Sequence, residues 1–61
     1  MEKKTKELVV GDRVLNILNR SYYSLEAVEK SGSGYIVTLT PANIDGNRYY
    51  AEYTTRHKIK V

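Results

Sequence analysis

The sequence predicts an all-β fold, and three observations predict it. Apolar residues come in runs of no more than three, broken throughout by Gly, Asn, Ser and Pro. Apolar and polar residues alternate along several of these segments, as a half-buried strand requires. Turn signals stand at Gly11-Asp12, Ser31-Gly-Ser-Gly34 and Asp45-Gly46, spaced as connections between short strands.

The first seven residues, MEKKTKE, are polar and charged with nothing to bury, so a flexible N-terminal arm over 1–7 is expected, with a single domain over 8–61. The first strand follows the Gly11-Asp12 turn and covers Arg13 to Leu18. The second runs from Tyr22 to Lys30 and ends at the glycine hairpin, where Gly32 and Gly34 are expected to supply positive φ. Its apolar residues fall into two phases, Val28 in one and Tyr23, Leu25 and Ala27 in the other, which a bulge or sharp bend near Glu26 reconciles. The third strand, Tyr35 to Thr40, stops at Pro41, which has no N–H to continue a ladder. The fourth runs from Arg48 to about Thr54, and KIKV ends the chain with Ile59 and Val61 on one side.

Alternation places Tyr49, Ala51 and Tyr53 on one face of the fourth strand and Tyr50, Glu52 and Thr54 on the other. A hairpin closed by residues 41–47 pairs Leu39 with Tyr49, Val37 with Ala51 and Tyr35 with Tyr53. Burial selects this phase, since a slip of one residue would turn Glu52 inward. Tyr35, Tyr49 and Tyr53 are thus expected in the core, in a chain that has no Phe or Trp, while Tyr50 lies outward beside Arg48.

Sixty-one residues make one domain with one small core. The absence of cysteine removes disulfides, thiol nucleophiles and Cys-based metal sites, and suits a reducing cytoplasm, where the chain is expected. No apolar stretch has the length of a membrane span or signal peptide, so no membrane partner is expected. The net charge is +3, and residues 48–61 hold four cations against one anion, a bias that suits an anionic partner.

The VVGDRV opening, the bent second strand, the glycine hairpin, the longer second hairpin and the final IKV resemble the SH3-like small barrels, most of all the KOW and Tudor type of module. The resemblance covers roughly residues 8 to 61. It implies a five-stranded barrel of two orthogonally packed antiparallel sheets and a binding role, without chemistry. Plasmid-borne dihydrofolate reductases of the SH3-like class share the GDRV stretch, here Gly11 to Val14. Their catalytic surface uses a Val-Gln-Ile-Tyr strand, and this chain has no glutamine. Archaeal seven-kilodalton chromatin proteins are similar in size and barrel class but much richer in lysine.

Enzymatic chemistry is not expected. The only imidazole, His57, stands between Arg56 and Lys58 with no adjacent carboxylate to orient it, and reads as a solvent-exposed residue. The acids are scattered without metal-ligand spacing, and the Ser-Gly-Ser-Gly turn lacks the P-loop lysine and helix, so neither a metal nor a cofactor is expected. Two surface readings remain. In the favoured one, Arg20, Tyr22, Arg48, Tyr50, Arg56, Lys58 and Lys60 form a basic, tyrosine-bearing face for single-stranded nucleic acid or RNA, cations meeting phosphates and rings meeting bases. For Lys58 and Lys60 the structural reading is edge protection against sheet-to-sheet association. The alternative is a protein-binding, accessory or self-associating patch built on Ile36, Tyr50 and Tyr22.

Overall fold

The computed structural model describes all 61 residues, Met1 to Val61. It contains strands β1 (Glu2–Lys4), β2 (Arg13–Asn16), β3 (Ser21–Ser31), β4 (Gly34–Thr40), β5 (Arg48–Glu52) and β6 (Arg56–Lys60), with one 3₁₀ turn at Thr5–Glu7. The all-β expectation holds. The arrangement is one antiparallel sheet of six strands in the order β1-β6-β2-β3-β4-β5, open between its two edges, rather than a closed five-stranded barrel. No helix is long and apolar enough to cross a membrane.

The extra strand comes from the segment expected to be a flexible arm. Glu2, Lys3 and Lys4 pair with Lys58, His57 and Arg56 of β6. Thr5 then turns inward and is only 1% exposed. What the segment buries is one hydroxyl rather than an apolar side chain, which is why hydropathy does not reveal it.

Strand β3 curls the sheet. Its pairing with β4 shifts register between Leu25 and Ala27, leaving Glu26 as the extra residue at the expected place. A bulge of this kind bends and twists the strand and flips its phase, so Leu25 and Val28 both reach the inner face, opposite Leu39 and Val37. The β3–β4 turn is the two-residue hairpin Gly32-Ser33, and only Gly32 takes a positive φ, at 60°. Gly34 serves otherwise: it is the first residue of β4, and a Cβ there would collide with the Tyr50 phenol and stand 2.8 Å from the Ala51 carbonyl oxygen.

The core is Leu8, Val14, Leu25, Val37, Leu39, Ala51 and Ile59, with Tyr23, Val28 and Tyr49 packed against it. The β4–β5 ladder has the expected phase with a different register. Val37 faces Tyr49 and Tyr35 faces Ala51, a slip of two residues that keeps Ala51 inside and Tyr50 out. Asn47 sets it: the buried residue gives its backbone oxygen to the Leu39 N–H at 2.6 Å, its side-chain amide to the Pro41 oxygen at 2.9 Å, and accepts from Asn16 at 2.8 Å. β4 therefore runs out at Gly34 opposite Glu52, so Tyr53 lies beyond the ladder, 49% exposed rather than in the core. At the C-terminus Ile59 is buried and Val61 is fully exposed past the end of β6.

β2 ends at Asn16 rather than Leu18, because the Asn16 side chain caps the following turn. Its oxygen accepts the N–H groups of Leu18 at 2.8 Å and Asn19 at 3.3 Å, and its amide donates to the Asp45 oxygen at 2.9 Å. The Asn16–Asn47 pair thus stitches the β2–β3 turn to the β4–β5 loop, with no buried polar side-chain atom left unsatisfied.

Candidate functional site

The sheet leaves a seam where β5 and the first half of β6 approach without pairing. β6 bonds to β1 through residues 56–58 and to β2 only through Ile59 and Lys60, so its beginning parts from β2. Along this seam runs a groove of about 780 Å³. Its walls come from Arg48 to Glu52 of β5, from Arg56 to Lys58 of β6, and from Leu15, Ile17, Leu18 and Arg20 beside the β2–β3 turn.

Backbone groups also face this seam. Antiparallel ladders alternate between residue pairs that exchange hydrogen bonds and pairs that do not. The Leu39 N–H to Asn47 oxygen bond fixes the alternation, so Tyr49 and Ala51 spend their backbone groups on β4 while Arg48 and Tyr50 turn theirs to the free edge.

The groove is positively charged and its cations are unengaged. Arg20, Arg48, Arg56 and Lys58 line it against Glu2 and Glu52, for a net charge of +2. None of the four cations forms an ion pair; the one ion pair of the chain is Lys3 to Asp12 at 2.9 Å, which ties β1 to the turn before β2. The Val9 N–H bond to the Asp12 carboxylate, at 3.1 Å, is the main reason that this carboxyl is held below its ordinary range, with Lys3 helping against the opposing cost of burial.

The floor of the groove carries the largest departure from the sequence reading. His57, expected in solvent, is 7% exposed and bonded at both ring nitrogens. Nε2 lies 2.7 Å from the Thr5 hydroxyl and Nδ1 2.9 Å from the Tyr49 hydroxyl. Thr5 has one proton, and it is given to the Glu52 carbonyl oxygen at 2.7 Å. Thr5 must then accept from Nε2–H, which leaves Nδ1 unprotonated to accept from Tyr49 O–H. The chain of hydrogen bonds runs from the Tyr49 hydroxyl through His57 and Thr5 to the accepting Glu52 carbonyl, and it clamps β5 to β6 and to the 3₁₀ turn where no ladder does. Burial lowers the pKa of His57 and raises that of Tyr49 to about 12. The phenol and the imidazole, with both ring nitrogens engaged, thus form a strut between β5 and β6. No three His, Asp or Glu side chains cluster as a metal site.

Of the seven residues proposed from sequence, Arg20, Arg48, Tyr50, Arg56 and Lys58 line the groove. Tyr50 is held, its hydroxyl reaching over Gly34 to the Ser33 hydroxyl at 3.2 Å. Tyr22 and Lys60 lie apart from the groove: Tyr22 is opposite Leu15 on β2, with the Lys60 ammonium 6.0 Å over its ring. Ile36 faces Tyr50 across β4 and β5, while Tyr22 is at the other end of β3, so the three do not form one patch. Sequence reasoning missed the groove's apolar lip, Ile17 and Leu18, by extending β2 through them; the asparagines on either side of the pair were the available turn signal. Comparisons with protein families, curated proteins and solved structures give no match to this chain.

Proposed function

We propose that this chain is a small non-enzymatic binding module that takes single-stranded nucleic acid or RNA along the β5–β6 groove. The observation that carries this reading is the gathering of Arg20, Arg48, Arg56 and Lys58 around one groove with no carboxylate in ion-pair contact. Exposed cations around one groove, none of them spent on a carboxylate, attract a chain of phosphates, whose binding releases counterions. The unpaired N–H groups of the β5 edge add neutral donors for phosphate or base oxygens.

A β2-β3-β4-β5 meander bent at Glu26, with β6 returning beside β2, supports an SH3-like barrel of the KOW and Tudor type whose seam stays open as the binding groove. The alternative, a protein-binding module, draws support from the Ile36–Tyr50 pair on the outer face of β4 and β5.

Salt dependence separates the two. Binding of a short single-stranded oligonucleotide should weaken linearly on a log–log plot against salt, and Arg48→Ala should flatten the slope by about 0.7 for each phosphate that is no longer neutralised. Binding that is indifferent to salt, or to Arg48→Ala, would count against the groove.

A further inference from the structure

At the lip of the groove Ile17 and Leu18 stand 77% and 68% exposed, two adjacent large aliphatic side chains facing water in a chain whose apolar core has only seven buried residues. Single exposed aliphatics need no explanation, but an adjacent pair in a rigid turn does.

The turn is held from both sides. Asn16, fully buried, accepts from the N–H groups of Leu18 and Asn19, and the Asn16 carbonyl accepts from the Arg20 N–H at 2.7 Å. Asn19 then accepts from the Ser21 N–H at 2.9 Å and donates to the Tyr23 hydroxyl at 2.9 Å. Arg20 takes a left-handed φ of 65°, a conformation that costs a residue with a Cβ and is kept here by the surrounding bonds. The bonded turn fixes the backbone under the pair, and Leu18 leans toward Gly46 of the β4–β5 loop while most of its side chain stays exposed.

Resting on the nucleic-acid reading of the groove, we propose that Ile17 and Leu18 form an apolar wedge that packs against an unstacked base, while Arg20, Arg48, Arg56 and Lys58 hold the flanking phosphates. A partner for this surface must present apolar faces and negative charge within a few ångströms of each other. A single strand does so at every nucleotide, and aliphatic wedges that unstack bases are known from proteins that kink duplex DNA through its minor groove. The wedge adds to the site a contact that is insensitive to salt and requires the base to leave its stack, so it favours single strands over duplex.

The test uses a fluorescent single-stranded oligonucleotide of about 10 nucleotides, read by anisotropy over a series of salt concentrations. For the double variant Ile17→Ser/Leu18→Ser, affinity should fall about tenfold with the salt slope unchanged, whereas Arg48→Ala should change the slope. Both wedge positions are exposed, so the variant should keep its thermal midpoint. The chain has no tryptophan, so Ile17→Trp makes a sole indole reporter, and its emission should be quenched as an unlabelled oligonucleotide binds. Unchanged affinity in the double variant, an unquenched indole in a complex that does form, or a wild-type dimer in sedimentation that the double variant abolishes would each overturn the wedge while leaving the groove reading in place. No binding by the wild-type chain would remove the groove reading itself, and the wedge with it.

Discussion

The Tyr49 hydroxyl donates to Nδ1 of His57 at 2.9 Å across the seam where β5 and β6 share no ladder bond. The imidazole passes the link on to Thr5, 52 positions away in sequence, so β5, β6 and the 3₁₀ turn meet at one ring. These side-chain bonds, with the Thr5 and Lys6 N–H bonds to the Thr55 and Tyr53 oxygens, therefore hold together edges that no ladder joins, and the groove keeps its floor.

The state of His57 makes stability depend on pH. Its folded pKa lies below the ordinary 6.5, so above that value neither folded nor unfolded chain carries the proton and stability is full. As pH falls below 6.5 the unfolded chain protonates first, and stability drops until the folded value is passed, after which this contribution is flat. Urea midpoints measured from about pH 7.5 down to about pH 5 should show the decline in wild type and its loss in His57→Asn. Asp12, lowered from 3.8, acts with the same sign in a separate, more acid window.

Tyr49→Phe leaves Nδ1 of the buried imidazole without a donor. The expected cost is about 1–2 kcal/mol, against a total on the order of 5 kcal/mol for a domain of this size. In a phenolate absorbance titration the wild type should retain a late component ionising near pH 12, and the variant should lack it.

Asn16→Ala removes an amide that bonds Asn47, Asp45, Leu18 and Asn19. A loss of about 2–3 kcal/mol is expected, since buried partners are stranded. Amide hydrogen exchange at Leu18 and Asn19 should quicken by more than the global loss explains. Equal changes across the whole chain would deny the residue a local role in shaping the turn.

Gly34→Ala sets a methyl against the Tyr50 phenol and the Ala51 carbonyl. Overpacking of this kind costs about 1–3 kcal/mol. In a Tyr50→Ala background the cost should shrink without vanishing, because the carbonyl contact remains, and a double-mutant cycle measures the difference.

How far the sequence could be read follows from what it encodes locally. The conflict of phase between Leu25 and Val28 marked the irregularity at Glu26, because apolar periodicity reports directly on burial. Periodicity also fixed which face of β5 is inward. It could not fix the register, since a slip of two preserves every phase and the choice rests on the amide bonds of Asn47. Thr5 and His57 escaped for the same reason. Each is buried through polar bonds to residues about 50 positions away or on another strand, and no local pattern marks such a partner. The basic groove was half legible: Arg48, Arg56 and Lys58 stood out as a C-terminal excess, while separating them from Tyr22 and Lys60 required the path of β6.

The most direct test of the central claim, that the groove along the β5–β6 seam receives a single nucleic-acid strand, is an amide-resolved titration of the chain with a single-stranded oligonucleotide at about 50 mM salt. Shifts are expected at Ile17 to Arg20, Arg48 to Glu52 and Arg56 to Lys58, with the amides of Val9, Val10 and Glu29 to Ser33 unmoved. A titration that leaves residues 48–58 silent, or moves only amides remote from the seam, would contradict it.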